Sequence, residues 1–488
     1  MSGLAGLLGT FLLLAFAVFA GGGFSRGRAL WTLSLFAHLL AWAGFLVVVL
    51  GLYAKSAGGA ATVYSPLILP ANQWSAAAAF LWDFPSAALS LAACSVAVSF
   101  HFIARDLLDR SRATVASLAG YLFCILGSLG SDHPLLFCVF FAGTMVPRMV
   151  FAGMDSHESR IETVKETAFL FTVALFSLLV CMLAFAEPFR GTLDSWFKIS
   201  GGEWVVPPGS LGLCLLLLAA SISAGIFPFH GNARKIFRMG EIERAAPLAL
   251  QPLVGFGLLF RFGLASFPRE FTTFGSFFLG FFAIGIAYCA AGFAGARSAR
   301  DRVFWLQQVL SCFVAVGFFS LSVKGWHGAE VLLFFECMVV PFLLFVLACH
   351  ERRQAMPSVK ELGRYPAFAL STALAALFAL FLPVSVGFYG ALLVAWSLVG
   401  RFHWPLPFVV LSMPLIAFAG VRIMYFQLGE PAKSASSSEG FTDLRRDELI
   451  AIFPLGLMLL FLGLIPRLLM GPIGVSVSGA LRSMGIVD

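Results

Sequence analysis

Apolar runs of about twenty residues recur along almost the whole chain, and they decide what it can fold into. A helix of that length crosses a bilayer, where every backbone N–H and C=O must find its partner inside the protein. Fourteen such runs lie near 4–22, 30–53, 85–105, 114–131, 134–152, 166–186, 209–228, 246–267, 273–295, 303–323, 329–350, 366–399, 407–428 and 449–469. Composition agrees: the 488 residues are 60% hydrophobic and 12% charged, where a soluble protein is about a quarter charged. The chain reads as an all-α polytopic membrane protein with about fourteen transmembrane helices. Its single transmembrane domain, 1–488, lies outside the usual relation between length and soluble domain count.

Two runs are cut by proline: SISAGIFPFHG at 221–231, around Pro228, and LFLPVSVGFYG at 380–390, around Pro383. Proline removes a backbone donor and frees a carbonyl. Inside hydrocarbon that is tolerated where the backbone is buried in protein or lines a wet cavity. A pair of interrupted helices at corresponding places in two halves of a chain points to an ion or substrate path. The alternative is two ordinary kinks, since proline is common in membrane helices.

Charge sets orientation. Loops after odd-numbered runs hold 21 of the 32 Lys and Arg; loops after even-numbered runs and the C-terminal end hold 8. The positive-inside rule places the odd loops in the cytoplasm and both termini on the non-cytoplasmic side. The net charge of +7 is thereby explained by basic loops retained on one side, with no call for nucleic acid. The first run lacks a basic region before it, and Arg26 and Arg28 follow it, the reverse of a secretory signal. The loop 54–84, with Pro66, Pro70, Trp74 and Trp82, reads as an interfacial cap, and 429–448 as a flexible hydrophilic linker. After the last run only a short tail is expected, too short for a long lateral helix.

The nine cysteines are scattered through apolar runs with no CxxC pair, so no metal or iron–sulfur site is expected. GGGF at 21–24 lacks the helix pattern of a phosphate-binding loop. No cofactor is expected and no catalytic residue.

Four stretches carry a family likeness: SDHPLLFCVFFAGTMVP (131–147), IFPFHG (226–231), RIMYFQLGEP (422–431) and TDLRRDELIAIFPLGLMLLFLGLIP (442–466). They resemble motifs of the antiporter-like subunits of respiratory complex I and of Mrp-type cation/proton antiporters, over most of the chain, and the mid-arm complex I subunits most. The resemblance implies two inverted five-helix repeats, runs 4–8 and 9–13, with broken helices 7 and 12. The chain then divides into 1–113 (three N-terminal spans), 114–267 (first repeat), 273–428 (second repeat) and 449–488 (last span and tail). It implies proton translocation within an NADH:quinone oxidoreductase-like assembly in a cytoplasmic (inner) membrane, beside other membrane-arm subunits. The redox chemistry would lie on those other subunits.

The likeness also implies titratable residues that this chain lacks. The glutamate of run 5 falls on Ala142, the lysine of the broken seventh helix on Ser223, and the charged residue of run 12 on Ala391. The lysine of run 8 has no counterpart, and the histidine position of run 11 holds Glu336. Losing both members of a buried ion pair can be neutral, whereas losing one leaves a charge stranded at several kcal/mol.

Five polar residues remain as proton-path candidates. Glu336 is an intramembrane carboxyl, a relay or a paired structural group. Lys165, with Glu162 and Glu166, sits at the entry to run 6, as a relay or as a charge cluster at the membrane edge. His230 follows the broken helix, as a shuttle or as a cap. Arg261 reads as an anchor, and His38 and His101 as packing residues. Three functions follow: a proton-translocating arm subunit, a non-conducting structural subunit of such an arm, or the membrane subunit of an Mrp-like antiporter or an energy-coupled bicarbonate uptake complex.

Overall fold

The computed structural model describes residues 2–21, 28–56, 62–66, 79–105, 108, 111–132, 134–153, 160–184, 210–238, 245–353, 364–399, 404–428 and 442–483. Pro70, Trp74, the GGGF glycines after Gly21 and most of the 429–448 linker lie outside them. Among the described residues ten helices are long and apolar enough to cross a membrane, and five shorter apolar helices accompany them. Large apolar side chains stay exposed around the outside, among them Phe36, Val139, Phe169, Phe277 and Trp396, each at least 58% exposed. A soluble monomer rarely shows so wide an apolar surface, and lipid is what covers it. The protein is a multi-pass membrane protein.

Two helices form the axis of the fold. Ala299–Phe319 and Val323–Glu351 are buried along their full apolar length. Val323–Glu351 packs against Val386–Val399, Phe84–Ile103 and Arg446–Leu464, and Ala299–Phe319 against Pro268–Gly295. Hydrophobic on all sides, the two are shielded from lipid by other helices, as such a pattern requires.

The basic ends of the helices are tied by ion pairs. Arg238 grips Asp301 through two bonds of 2.7 Å, and Arg234 adds a third at 3.3 Å. These bonds raise the pKa of the Arg238 guanidinium above its ordinary value. Arg353 and Glu448, both nearly buried, meet at 2.6 Å. Asp443 accepts from the Ala367 and Phe368 amides and so caps the Pro366–Ala379 helix from another segment. At the opposite end Arg261, in a π-helical turn, Leu259–Gly263, donates to the carbonyls of Leu129 and Leu81. It joins three segments, the anchoring role its sequence context suggests.

Two regions differ from expectation. The loop 54–84 holds an antiparallel hairpin, β1 Thr62–Pro66 and β2 Ala79–Asp83, with Thr62 opposite Asp83. Trp82 is fully buried there against Phe45 and Phe80, so it is core and not an interfacial aromatic. Beyond the last long span the chain does not trail off. It turns at Pro466 and forms a further helix, Arg467–Ser483, that packs on Val323–Glu351 and Phe84–Ile103. Leu469, Ile473, Val477 and Leu481 recur every fourth residue along its buried stripe.

Candidate functional site

Both proline-cut stretches leave the helix, and both do so through a residue in the left-handed region. The Ser210–Ala224 helix ends at Gly225, with φ +64°. The amide of Ile226 donates to Ser221 O and that of Gly225 to Ile222 O, the bonding of a Schellman cap. A Cβ at Gly225 would sit 2.8 Å from the Gln251 amide nitrogen, so glycine is required twice over. At the second break Phe381 takes φ +54° without being glycine. Its ring is held against Phe335, and the break is closed on its far side by the Arg446–Leu464 helix. Gly463 there approaches the Val384 carbonyl so closely that a Cβ would come within 1.8 Å. Pro228 and Pro383 are exposed, while Gly225 and Phe381 before them are buried.

Side chains from three other helices converge on the first break. Arg148, on Met145–Gly153, is 4% exposed and donates to Ser223 O at 2.9 Å. Its guanidinium lies 5.8 Å from the Phe171 ring centroid. Gln308 donates to Gly225 O at 3.1 Å, and its neighbour Gln307 to Ala249 O at 3.0 Å. One turn further along the same helix, Ser311 donates to Glu336 Oε1 at 2.6 Å. Gln308 and Ser311, three residues apart on one helix, thus face the first break and the Glu336 carboxyl of Val323–Glu351 in turn.

Polar atoms left over mark the same zone. Glu336 Oε2, Gln308 Oε1, Ser223 Oγ, Arg148 Nε and His230 Nδ1 are buried without a hydrogen-bond partner among the described residues. Buried polar groups are nearly always satisfied, so a run of orphans is where water or an ion belongs. His230 is half-buried between Phe227, Tyr288, Phe304 and Trp305. Glu166 pairs with Lys235 of the helix that follows His230, whereas Glu162 and Lys165 are exposed. Ser223 and Ala391 are fully buried and Ala142 partly so.

Other histidines lie away from the break. His38 and His101 are not separate packing residues: their rings stand 4.5 Å apart, and Ser34 Oγ bonds His101 Nε2 at 2.7 Å. His350 bonds Thr372 at 3.2 Å and stacks on Phe368. Among the described residues no three His, Cys, Asp or Glu side chains are placed to hold a metal ion.

Sequence reading overlooked Arg148, Gln307, Gln308 and Ser311. Arg148 carried the plainest signal, a cation inside an apolar span. The two glutamines and the serine, at i, i+1 and i+4 in a run otherwise apolar, mark a polar stripe on one helix face.

No family model matches the chain. Subunit M of the NADH-quinone oxidoreductase of Rickettsia prowazekii (strain Madrid E) is 23% identical over 379 residues, 74% of this chain and 76% of the relative. A chain of the respiratory complex I structure from Thermus thermophilus superposes with a TM-score of 0.84 at 19% identity, covering 98% of this chain and all of that one. A chain of the Mrp complex of Dietzia sp. DQ12-45-1b superposes with a TM-score of 0.77 at 15% identity, covering 99% of each. In sequence and in fold the chain is therefore similar to antiporter-like membrane subunits of the complex I and Mrp type.

Proposed function

We propose that this chain is an antiporter-like membrane subunit of a complex I-like assembly, seated among other membrane-arm subunits, and that its proton path runs through Glu336. The observation that carries the proposal is the polar stripe on Ala299–Phe319, where Gln308 bonds the first break and Ser311, three residues on, bonds Glu336. A proton crossing a low-dielectric slab needs titratable groups with water between them, and the orphaned atoms along this stripe are sites for that water.

The architecture we assign is fourteen spans, with Pro366–Ala379 and Val386–Val399 counted as one broken helix. The repeats are 114–267 and 273–428, inverted about the membrane plane, with the breaks at Gly225 and Phe381 in equivalent places. The ion-paired basic ends face the cytoplasm, both termini face away from it, and the membrane is the cytoplasmic (inner) one. The chain supplies no redox chemistry; the oxidoreductase activity of the assembly resides on its partners.

A second reading, a structural subunit that fills a place in the arm without conducting, is favoured by Ala142, Ser223 and Ala391 at the family's charged positions. Affinity isolation of the tagged chain from its native membrane tests the assembly common to both. Co-purification of membrane-arm and redox subunits is the expected result; recovery of the chain alone, or with a cation antiporter's subunits, would overturn it.

A further inference from the structure

We propose that the cleft beside the first helix break binds one small monovalent inorganic anion, of chloride size, with Arg148 as its countercharge. The cleft is lined by Arg148, Thr167, Phe171, Gly225, Asn232 and Gln251, and no carboxylate lines it among the described residues. The cleft has room for one small ion.

The charge balance requires such an occupant. An arginine carries five N–H donors and stays charged in proteins. Arg148 directs one of its groups at the Ser223 carbonyl, while its buried Nε donates to nothing among the described residues. A carbonyl and the Phe171 ring offer only partial negative charge, and a buried cation without a full counterion is costly. The polar groups that line the cleft beside it can act as donors: the Asn232 and Gln251 amides and the Thr167 hydroxyl. Asn232 already donates to Thr167 Oγ1 at 3.0 Å, which leaves its second N–H free to turn to a ligand. A ring of donors around a stranded guanidinium is built for an anion. Arg234 and Lys235, two and three residues beyond Asn232 on the same helix, add positive charge near the cleft. The site does not depend on whether the chain conducts protons.

The test uses the assembled complex in detergent at fixed pH and ionic strength. Sodium gluconate is replaced stepwise by sodium chloride, bromide or sulfate, and the unfolding temperature of this chain is followed. Chloride and bromide are expected to raise it along a saturating curve, and sulfate is not. Arg148→Gln should abolish the saturating rise. Asn232→Leu, which keeps the arginine, should raise the half-saturating chloride concentration at least threefold and decides the matter if Arg148→Gln fails to assemble. No difference between chloride and gluconate in the wild type, or the same curve in every variant, would overturn the site.

Discussion

Arg148 reaches across 75 residues of sequence to the carbonyl of Ser223, at 2.9 Å, and so sets a cation at the first helix break. A lysine can shed its proton when buried; an arginine does not. The cation at the first break is thus of the kind suited to charge balance and not to proton exchange.

This relation predicts how Ser223 tolerates change. Its side chain is fully buried, and Ser223→Lys would place a second cation beside Arg148. Like charges in a buried site cost several kcal/mol. Ser223→Lys is expected to lower the yield of assembled complex to a small fraction of wild type, whereas Ser223→Ala should assemble at near wild-type level. Blue-native gels of membranes measure both, and normal assembly of the lysine variant would contradict the placement.

Gly463 predicts a steric threshold. A Cβ there would meet the Val384 carbonyl at 1.8 Å, but one at Gly471 would meet nothing within 4 Å. Gly463→Ala must push the last span away from the second break and should cost about 1–3 kcal/mol, as overpacking does. Gly471→Ala should leave the unfolding temperature unchanged or slightly raised, since it sits within a helix. Equal behaviour of the two variants in a thermal melt would refute the close approach.

The Arg353–Glu448 pair is 7% and 4% exposed by side chain, and Arg353 also donates to the carbonyls of Thr442, Cys349 and Asp443. Arg353→Met leaves the buried Glu448 to the Arg352 guanidinium at 3.6 Å and the Arg445 amide at 2.8 Å, and should cost about 3 kcal/mol. Arg353→Met with Glu448→Leu removes the under-compensated charge and should recover part of that loss in the same melt. A double variant no more stable than the single one would mean that the carbonyl contacts, not the charge pair, hold this end together.

The membrane spans and the two breaks were legible because each rests on a local rule. Long apolar runs dictate helices, and Pro228 and Pro383 forbid the continuation of two of them. The Arg467–Ser483 helix was legible in principle from Leu469, Ile473, Val477 and Leu481 at four-residue spacing. It was hidden because its apolar stripe is narrow and follows the last span directly. Trp82 was misplaced for a different reason: aromatic residues near a span end favour the membrane interface, and only the hairpin turns this one into the core. The candidate site was the least legible part. Glu336 stood out as a carboxyl in the middle of an apolar run, but its neighbours toward the first break are side chains of Ala299–Phe319. No pattern along the sequence says that Ser311 meets Glu336 or that Gln308 meets Gly225, because both contacts arise from how whole helices pack.

The most direct test of the proton path is to reconstitute the complex containing this chain into vesicles and count protons moved per turnover with Glu336→Gln. The substitution keeps shape and hydrogen-bonding capacity but removes the titratable proton. The account predicts a clear drop in protons per turnover with assembly and redox turnover intact. An unchanged count in an intact complex would show that Glu336 carries no protons and would leave this chain as a structural member of the arm.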